Sequence, residues 1–376
     1  MSNSNGIQQH PHYVQGPRYH IYIRTNVPSD ILTSVRDGWK DMESYPITFS
    51  NYTLPLQPAI VQTNPYTLSA PQTFDSVRKF DAGAALVQEE IFLRDNGVRV
   101  IISDCPSIVC GLNGVACILV TNFLFDGILE GLLKLHRKEE NGVVDEAVQQ
   151  FIQEMTKQYN AADVLLRLPG YIPMRYPRSK TIDIPAHFRK TNASRIATLT
   201  SLGIPQLLEP ETKVLLHCFG GQPQQASPSS GFKPPTLPPH WICLSQTIHF
   251  PPSFHRISST AYIPNLIAAS DAVLGKLGWG MCSEILGNGR VPFIYVPRGA
   301  FVEEEGLLEW MHRDHRRLVK MAVEVFEGMD WEGKVREAGM LGERRGTCVE
   351  EGPLAEIEEQ TVVSVLKKEI GRLVNR

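Results

Sequence analysis

The sequence predicts an α/β protein with two domains, each built on a parallel sheet, and three observations predict it. "VRVIISD" (98–104), the helix-like "SIVCGLNG" and "ACILVTN" (116–122) follow one another as strand, helix and strand with short joins. Both strands are apolar at several successive positions, as expected of strands covered by helices on both faces. The same alternation restarts beyond residue 190, and 376 residues suffice for two domains with a core each.

Each element can be justified in order. The polar residues 1–18 read as a disordered N-terminus with no apolar signal core. "YHIYIRT" (19–25) is β-branched and aromatic, hence a strand, and "NVPSDILTSV" turns at Pro28 into a helix start. Residues 45–72, rich in Pro, Thr and Asn, read as irregular loop, and 73–95 as a helix. After the strand–helix–strand unit, residues 143–159 carry Val144, Val148, Phe151, Ile152, Met155 and Tyr159 on one face of a helix, and "DVLLRLPG" is a strand. In the second half "RKTNASRIATLTSLGI" reads as a helix, "TKVLLHCFGGQ" as a strand, and 223–239 as a mobile, low-complexity loop. "HWICLSQ" is a strand, "IPNLIAASDAVLGK" a helix and a strand, "GMCSEILGNG" a helix, "VPFIYVPR" a buried strand, and the C-terminus two or three charged helices. The domain boundary falls within 177–196, giving domains of 19–190 and 191–376.

Composition narrows the function. A net charge of −3 with no basic stripe predicts no attraction to nucleic acid, and no apolar span approaches the ~20 residues of a transmembrane helix. The seven cysteines lie mostly in apolar runs and match no zinc spacing, so they read as buried thiols of a cytoplasmic protein, with no metal implied.

The segment "AASDAVLGKLGWGMCSEILGNGRVPFIYVPR" (268–298) crowds Gly275, Gly278 and Gly280 into six residues. Glycines weaken helices and strands, so their clustering calls for a sharp turn or a close approach. A strand end, a turn at Gly278–Gly280 and a helix start fit the C-terminal edge of a parallel sheet, where ligands bind. Amides at such a helix start form an anion site. Lys276 would face phosphates, Ser283 would cap the helix or offer a hydroxyl, and Glu284 would suit a pair of sugar hydroxyls. On the residues alone, a tight strand-to-helix turn with Glu284 favoured by the helix dipole explains the segment equally well. It is neither a G-x-x-x-x-G-K-[ST] loop nor a dinucleotide fingerprint.

This segment resembles the nucleotide-sugar site of GT-B glycosyltransferases, whose fold is two Rossmann-like domains facing across a cleft. The runs "SDCPSIVCGLNGVACILVTNF", "LLRLPGYIPM", "CFGGQP", "LPPHWICL", "IPNLIAASDAVLGKLGWGMCSE" and "VPFIYVPRGAFVEEEGLLEWM" occur in the order found in the glycosyltransferase-like N-terminal region of plant L-arabinokinase and its stand-alone bacterial relatives. The resemblance covers most of residues 19–312. It implies that Gly278 faces a diphosphate, that Glu284 binds a ribose, and that Gly220 and Gly221 form another phosphate-facing loop. It places Glu303 and Glu304 near sugar hydroxyls and Asn122 and Phe123 in the cleft. Without it, these positions read as an αL turn, a solvated acidic run and a turn residue, and Asp104 as a strand terminator.

Two departures qualify what the resemblance implies. Nothing here resembles the ATP loop of the family's sugar kinase domain, so sugar phosphorylation is not expected. The relatives begin with a strand, a Gly-His-Gly-x-Gly-His loop and a helix, a unit of about 30 residues, whereas "YHIYIRTNVP" matches their second strand. The N-terminal domain is therefore expected to lack its first strand–loop–helix, and the chain to be a poor catalyst. Asp104 and His20 are the candidates for a general base; His10 and His12 have no glycine setting either. The leading expectation is a cytoplasmic protein that binds a nucleotide-diphospho-sugar in its C-terminal domain and transfers the sugar to a hydroxyl acceptor, with no cofactor. The alternatives are a non-catalytic sugar or nucleotide binder or scaffold, and a nucleotide-sugar epimerase of the related fold.

Overall fold

The computed structural model describes residues 21–25, 47–51, 54–112, 114–139, 145–220, 234–248, 252–299, 301–343 and 354–374. His10, His12, His20, Gly221, the N-terminus and most of the 223–239 stretch lie outside them. Two compact units divide the chain at Pro55 and Leu56. In the first, β1 (Ile21–Thr25) and β2 (Ile47–Asn51) pair in parallel, Ile21 opposite Ile47.

The second unit holds two all-parallel sheets. It opens with a small hairpin, β3 (Gln62–Asn64) and β4 (Thr67–Leu68). The helix expected over 73–95 is two helices, α1 (Ala70–Lys79) and α2 (Ala82–Asp95). The break has a local cause: Asp81 accepts a hydrogen bond from the Ala84 amide at 2.9 Å, and this N-cap begins a new helix. The first sheet, ordered β5-β6-β7-β8, comprises β5 (Val100–Ser103), β6 (Ala116–Thr121), β7 (Val164–Arg167) and β8 (Thr181–Asp183). Between β5 and β6 the expected helix is only a 3-10 turn at Ser107–Val109, because Gly111 and Gly114 adopt φ of 79° and 80°. Helices α3 (Phe125–Glu139) and α4 (Glu146–Ala161) cover this sheet. Helix α3 escaped the sequence reading; its Ile128, Leu129, Leu132 and Leu133 are buried at helical spacing.

After α5 (Arg195–Ser201) comes the second sheet. Its strands are β9 (Lys213–His217), β10 (Trp241–Ser245), β11 (Phe254–Arg256), β12 (Ala272–Lys276), β13 (Phe293–Val296) and β14 (Leu318–Lys320). Their order is β11-β10-β9-β12-β13-β14, the 3-2-1-4-5-6 order of a doubly wound nucleotide-binding sheet. The order reverses between β9 and β12, where Leu216 pairs with Val273. Helices α6 (Ile263–Ala269) and α7 (Trp279–Gly287) flank β12. Beyond β13, the described residues form four helices where two or three were expected: α8 (Glu303–Asp314), α9 (Val323–Glu327), α10 (Glu332–Glu343) and α11 (Leu354–Val374). Helix α11 packs Val362 and Leu373 against Ile118, Val164 and Leu166 of the first sheet, and Arg99 donates to the Val374 carbonyl at 2.8 Å.

Candidate functional site

In a sheet of this order the crevice beyond the strand ends at the reversal point is where ligands sit. Here it lies between the ends of β9 and β12. On the β9 side, Gly220 has φ of 72°, a left-handed turn that suits glycine, and this geometry fits a plain turn as well as a phosphate loop.

On the β12 side the three glycines do different work. A Cβ at Gly275 would run into the Cys218 carbonyl oxygen of β9's extension, so this glycine lets two strands close up. Gly278 and Gly280 are different: a Cβ at either would meet nothing within 4 Å. Neither has positive φ, so the expected glycine turn is really an extended Gly278 at the N-cap of α7 with Gly280 in its first turn. No described side chain caps α7. Helix α7 thus starts without a side-chain cap, the kind of helix start at which an anion can bind.

One turn into α7, Glu284 is 7% exposed and accepts a hydrogen bond from Arg189 Nε at 2.6 Å. Ser283 is buried and donates to the Gly280 carbonyl at 3.0 Å, closing its own helical turn. Gly280, Ser283 and Glu284 line a pocket of ≈ 380 Å³ whose opposite wall is Ala186–Lys190, with Trp279 at its side.

A second cluster forms around Arg298, which is 5% exposed. Its Nε donates to Glu304 at 3.1 Å, its Nη2 to Glu303 at 3.1 Å and to the Leu277 carbonyl, and its backbone N–H to Glu304 at 2.9 Å. Glu303 also accepts from Asn122 Nδ2 at 3.1 Å, which joins the end of β6 to the first turn of α8. Phe123 packs edge-on against Phe301 with ring centroids 6.4 Å apart. Desolvation raises the Glu304 pKa against the opposing pull of Arg298. Lys276, whose Nζ reaches Gln62 at 3.5 Å, is held down to about 8, first by burial and then by the charge of Arg298.

The sequence-derived positions thus fall into two groups joined through Leu277 and Gly278. Lys276, Glu303, Glu304 and Asn122 meet at Arg298; Gly280, Ser283 and Glu284 share the pocket. Asp104 stands apart, at the end of β5. Four participants escaped the sequence reading: His187, Arg189, Trp279 and Arg298. Arg298 had a signal, an arginine ending a buried strand five residues before an acidic pair. His187 and Arg189 had none, since they lie in a segment that reads as a domain boundary.

No family model matches the chain. Solved structures with this architecture include the glycosyltransferase of kitacinnamycin, at 14% identity and TM-score 0.53 over 87% of this chain and 93% of that one. The spinosyn forosaminyltransferase SpnP superposes at 11% identity and TM-score 0.53 over 94% and 100%. Arabidopsis thaliana UGT89C1 complexed with UDP does so at 12% identity and TM-score 0.50 over 92% of each. The chain has a GT-B glycosyltransferase-like fold. By sequence, this GT-B-like chain is 34% identical over 229 residues to L-arabinokinase of Arabidopsis thaliana. The match takes in 59% of this chain and 20% of the relative, so the chain spans about a fifth of that protein's length. Among the described residues no helix is long and apolar enough to cross a membrane, and no cluster of side chains could hold a metal ion.

Proposed function

We propose that this chain binds a nucleotide-diphospho-sugar at the reversal point of the six-stranded sheet and transfers its sugar to a hydroxyl acceptor. The GT-B glycosyltransferase-like fold supports a function of the sugar-transfer type. The observation that carries the finer reading is the uncapped start of α7, with Gly278 and Gly280 open to space and the buried Glu284 carboxylate one turn behind them. The amides suit the diphosphate, whose charge grows as the sugar leaves, and the carboxylate suits two vicinal ribose hydroxyls. The donor side is assigned to the domain that begins near residue 191 and the acceptor side to the one before it. In this reading Glu303 and Glu304 are assigned to the sugar, with Lys276 beside them.

One observation favours a second reading, a sugar or nucleotide binder without transfer: both carboxylates of the α8 pair already bond to Arg298. A thermal-shift screen with UDP and UDP-sugars tests binding. A ligand at 100 times its Kd stabilises by ~2.7 kcal/mol. A shift with UDP in the full chain that is lost in Glu284→Ala supports the site, and no shift with any nucleotide contradicts it. Release of UDP from a bound UDP-sugar separates transfer from binding alone.

A further inference from the structure

Two of the buried thiols touch. Cys117 in β6 and Cys110, just after the 3-10 turn at Ser107–Val109, bring their sulfurs to 3.6 Å, and the Cys117 S–H is directed at Cys110 Sγ. Cys117 is fully buried and Cys110 is 6% exposed. The Cys110 S–H is directed in turn at the Pro106 carbonyl, 3.9 Å away. The backbone holds both ends of the contact. Cys117 pairs with Ile101 of β5, its N–H donates to Asp163 Oδ2 at 3.0 Å, and its carbonyl accepts from the Asp163 N–H at 2.9 Å. The Cys110 N–H donates to the Ser107 carbonyl at 2.9 Å, and Ser107 Oγ donates to Gln158 Oε1 at 2.7 Å. Between the two cysteines Gly111 and Gly114 take φ of 79° and 80°, so the chain doubles back and returns the second sulfur to the first. Cys105, also buried, has Asp104 and Thr121 beside its sulfur instead.

We propose that Cys110 and Cys117 form a dithiol that a peroxide closes to a disulfide, a covalent staple between the β5–β6 connection and β6. Cys110, the more exposed sulfur, attacks one peroxide oxygen as its thiolate. The O–O bond breaks, the other oxygen leaves as water once protonated, and Cys110 becomes a sulfenic acid. Cys117 Sγ then attacks the Cys110 sulfur, the S–O bond breaks, and a second water leaves. Two thiols lose two protons and two electrons, and one peroxide becomes two waters. A disulfide bond of about 2.05 Å needs each sulfur to move by roughly 0.8 Å, which side-chain rotation supplies. A small neutral oxidant suits the site, because Cys110 adjoins the exposed Gly111 while Cys117 is sealed behind it. The hydrogen bond from Cys117 and burial raise the Cys110 pKa, so closure is slow. The same burial then shields the disulfide from bulky thiol reductants. From Cys117, β6 runs on to Asn122, whose Nδ2 donates to Glu303 at 3.1 Å, so the staple acts on the strand that joins the first sheet to α8.

The test exposes the folded, reduced full chain to hydrogen peroxide, alkylates the remaining thiols in denaturant, and maps the peptides by mass spectrometry. The peptide that carries Cys110 and Cys117 should escape alkylation and be lighter by two hydrogens, and dithiothreitol in denaturant should restore both thiols. Closing this short loop should raise Tm by roughly 2–6 °C. Cys117→Ser should show no link and no rise in Tm, and its Cys110 should take up dimedone as the stranded sulfenic acid. Cys105→Ser should form the link as wild type does. Separate alkylation of Cys110 and Cys117 after prolonged exposure of the wild-type chain would overturn the proposal, as would a link from either of them to Cys105. A link that forms without raising Tm would overturn its role as a staple.

Discussion

Arg189 donates to Glu284 across the pocket at 2.6 Å, pairing a buried carboxylate with an arginine whose side chain is 59% exposed. For Glu284 to take a ribose, this pair must open. A half-exposed pair contributes only about 0–1 kcal/mol, so opening it costs little. A buried hydroxyl-to-carboxylate contact contributes ~1.5–3 kcal/mol, and Glu284→Ala should weaken UDP binding by roughly 10- to 150-fold. Arg189→Gln frees the carboxylate and should tighten binding of uridine by up to about fivefold. Calorimetry of both variants decides; unchanged UDP affinity in Glu284→Ala would make Glu284 only a partner for Arg189.

Gly278→Val and Gly275→Ala should separate the two uses of glycine. A side chain at Gly278 enters open space from an extended backbone, so the variant should fold and lose no more than about 1 kcal/mol of stability. Its Cβ would stand where the diphosphate approaches the first amides of α7, so UDP binding should be lost. At Gly275 even a methyl meets the Cys218 carbonyl, and a strongly destabilised chain is expected. Thermal melts with and without UDP measure both. A folded Gly278→Val that binds like wild type would refute the anion-site reading.

How much of this could be read from the sequence depended on local signals. The strands 100–103, 116–121, 213–217 and 272–276 announced themselves as apolar runs, and Glu284 and Gly278 stood out by spacing. What escaped depends on contacts far along the chain. Arg298 finds Asn122 only through Glu303, 181 residues from it, and His187 meets Trp279 only because the fold brings the start of α7 to its segment. Helix α3 was masked by polar residues scattered through its apolar run, and the break at Asp81 was a side-chain cap inside a periodic stretch. The glycine turn was misplaced because three glycines look alike in sequence, whereas one closes a strand pair and two face open space.

The Arg298 cluster should matter more for stability than its size suggests. Removing one partner of a buried ion pair leaves uncompensated charge, at a cost of about 3–5 kcal/mol. Arg298→Met, of similar volume, strands Glu303 and Glu304 and should lower the unfolding free energy by about that amount in urea titrations. Arg298→Met with Glu303→Gln and Glu304→Gln should recover part of the loss. A single variant as stable as wild type would mean that the cluster is solvated.

Stability should fall in mild acid for an identifiable reason. Burial lowers the His217 pKa to about 3 and that of His315 to about 4, from 6.5. The unfolded chain therefore takes up protons below pH 6.5 that the folded chain refuses until pH 3–4. The stabilising contribution is complete above pH 6.5 and is lost as pH falls toward those values, at up to ~1.4 kcal/mol per pH unit for each histidine. His217→Leu should lower stability overall, since Ser245 Oγ loses its 2.9 Å partner, yet reduce the slope between pH 6.5 and 5 by about one proton. An unchanged slope would place the acid sensitivity elsewhere.

The most direct test of the central claim is amide hydrogen exchange of the full chain with and without saturating UDP. Slowed exchange is expected in peptides that cover Leu277 to Ile285, above all at the first amides of α7, and at Cys218 to Gly220 beside them. Slowed exchange confined to other elements, or none while UDP is bound, would contradict the placement of the nucleotide at this helix.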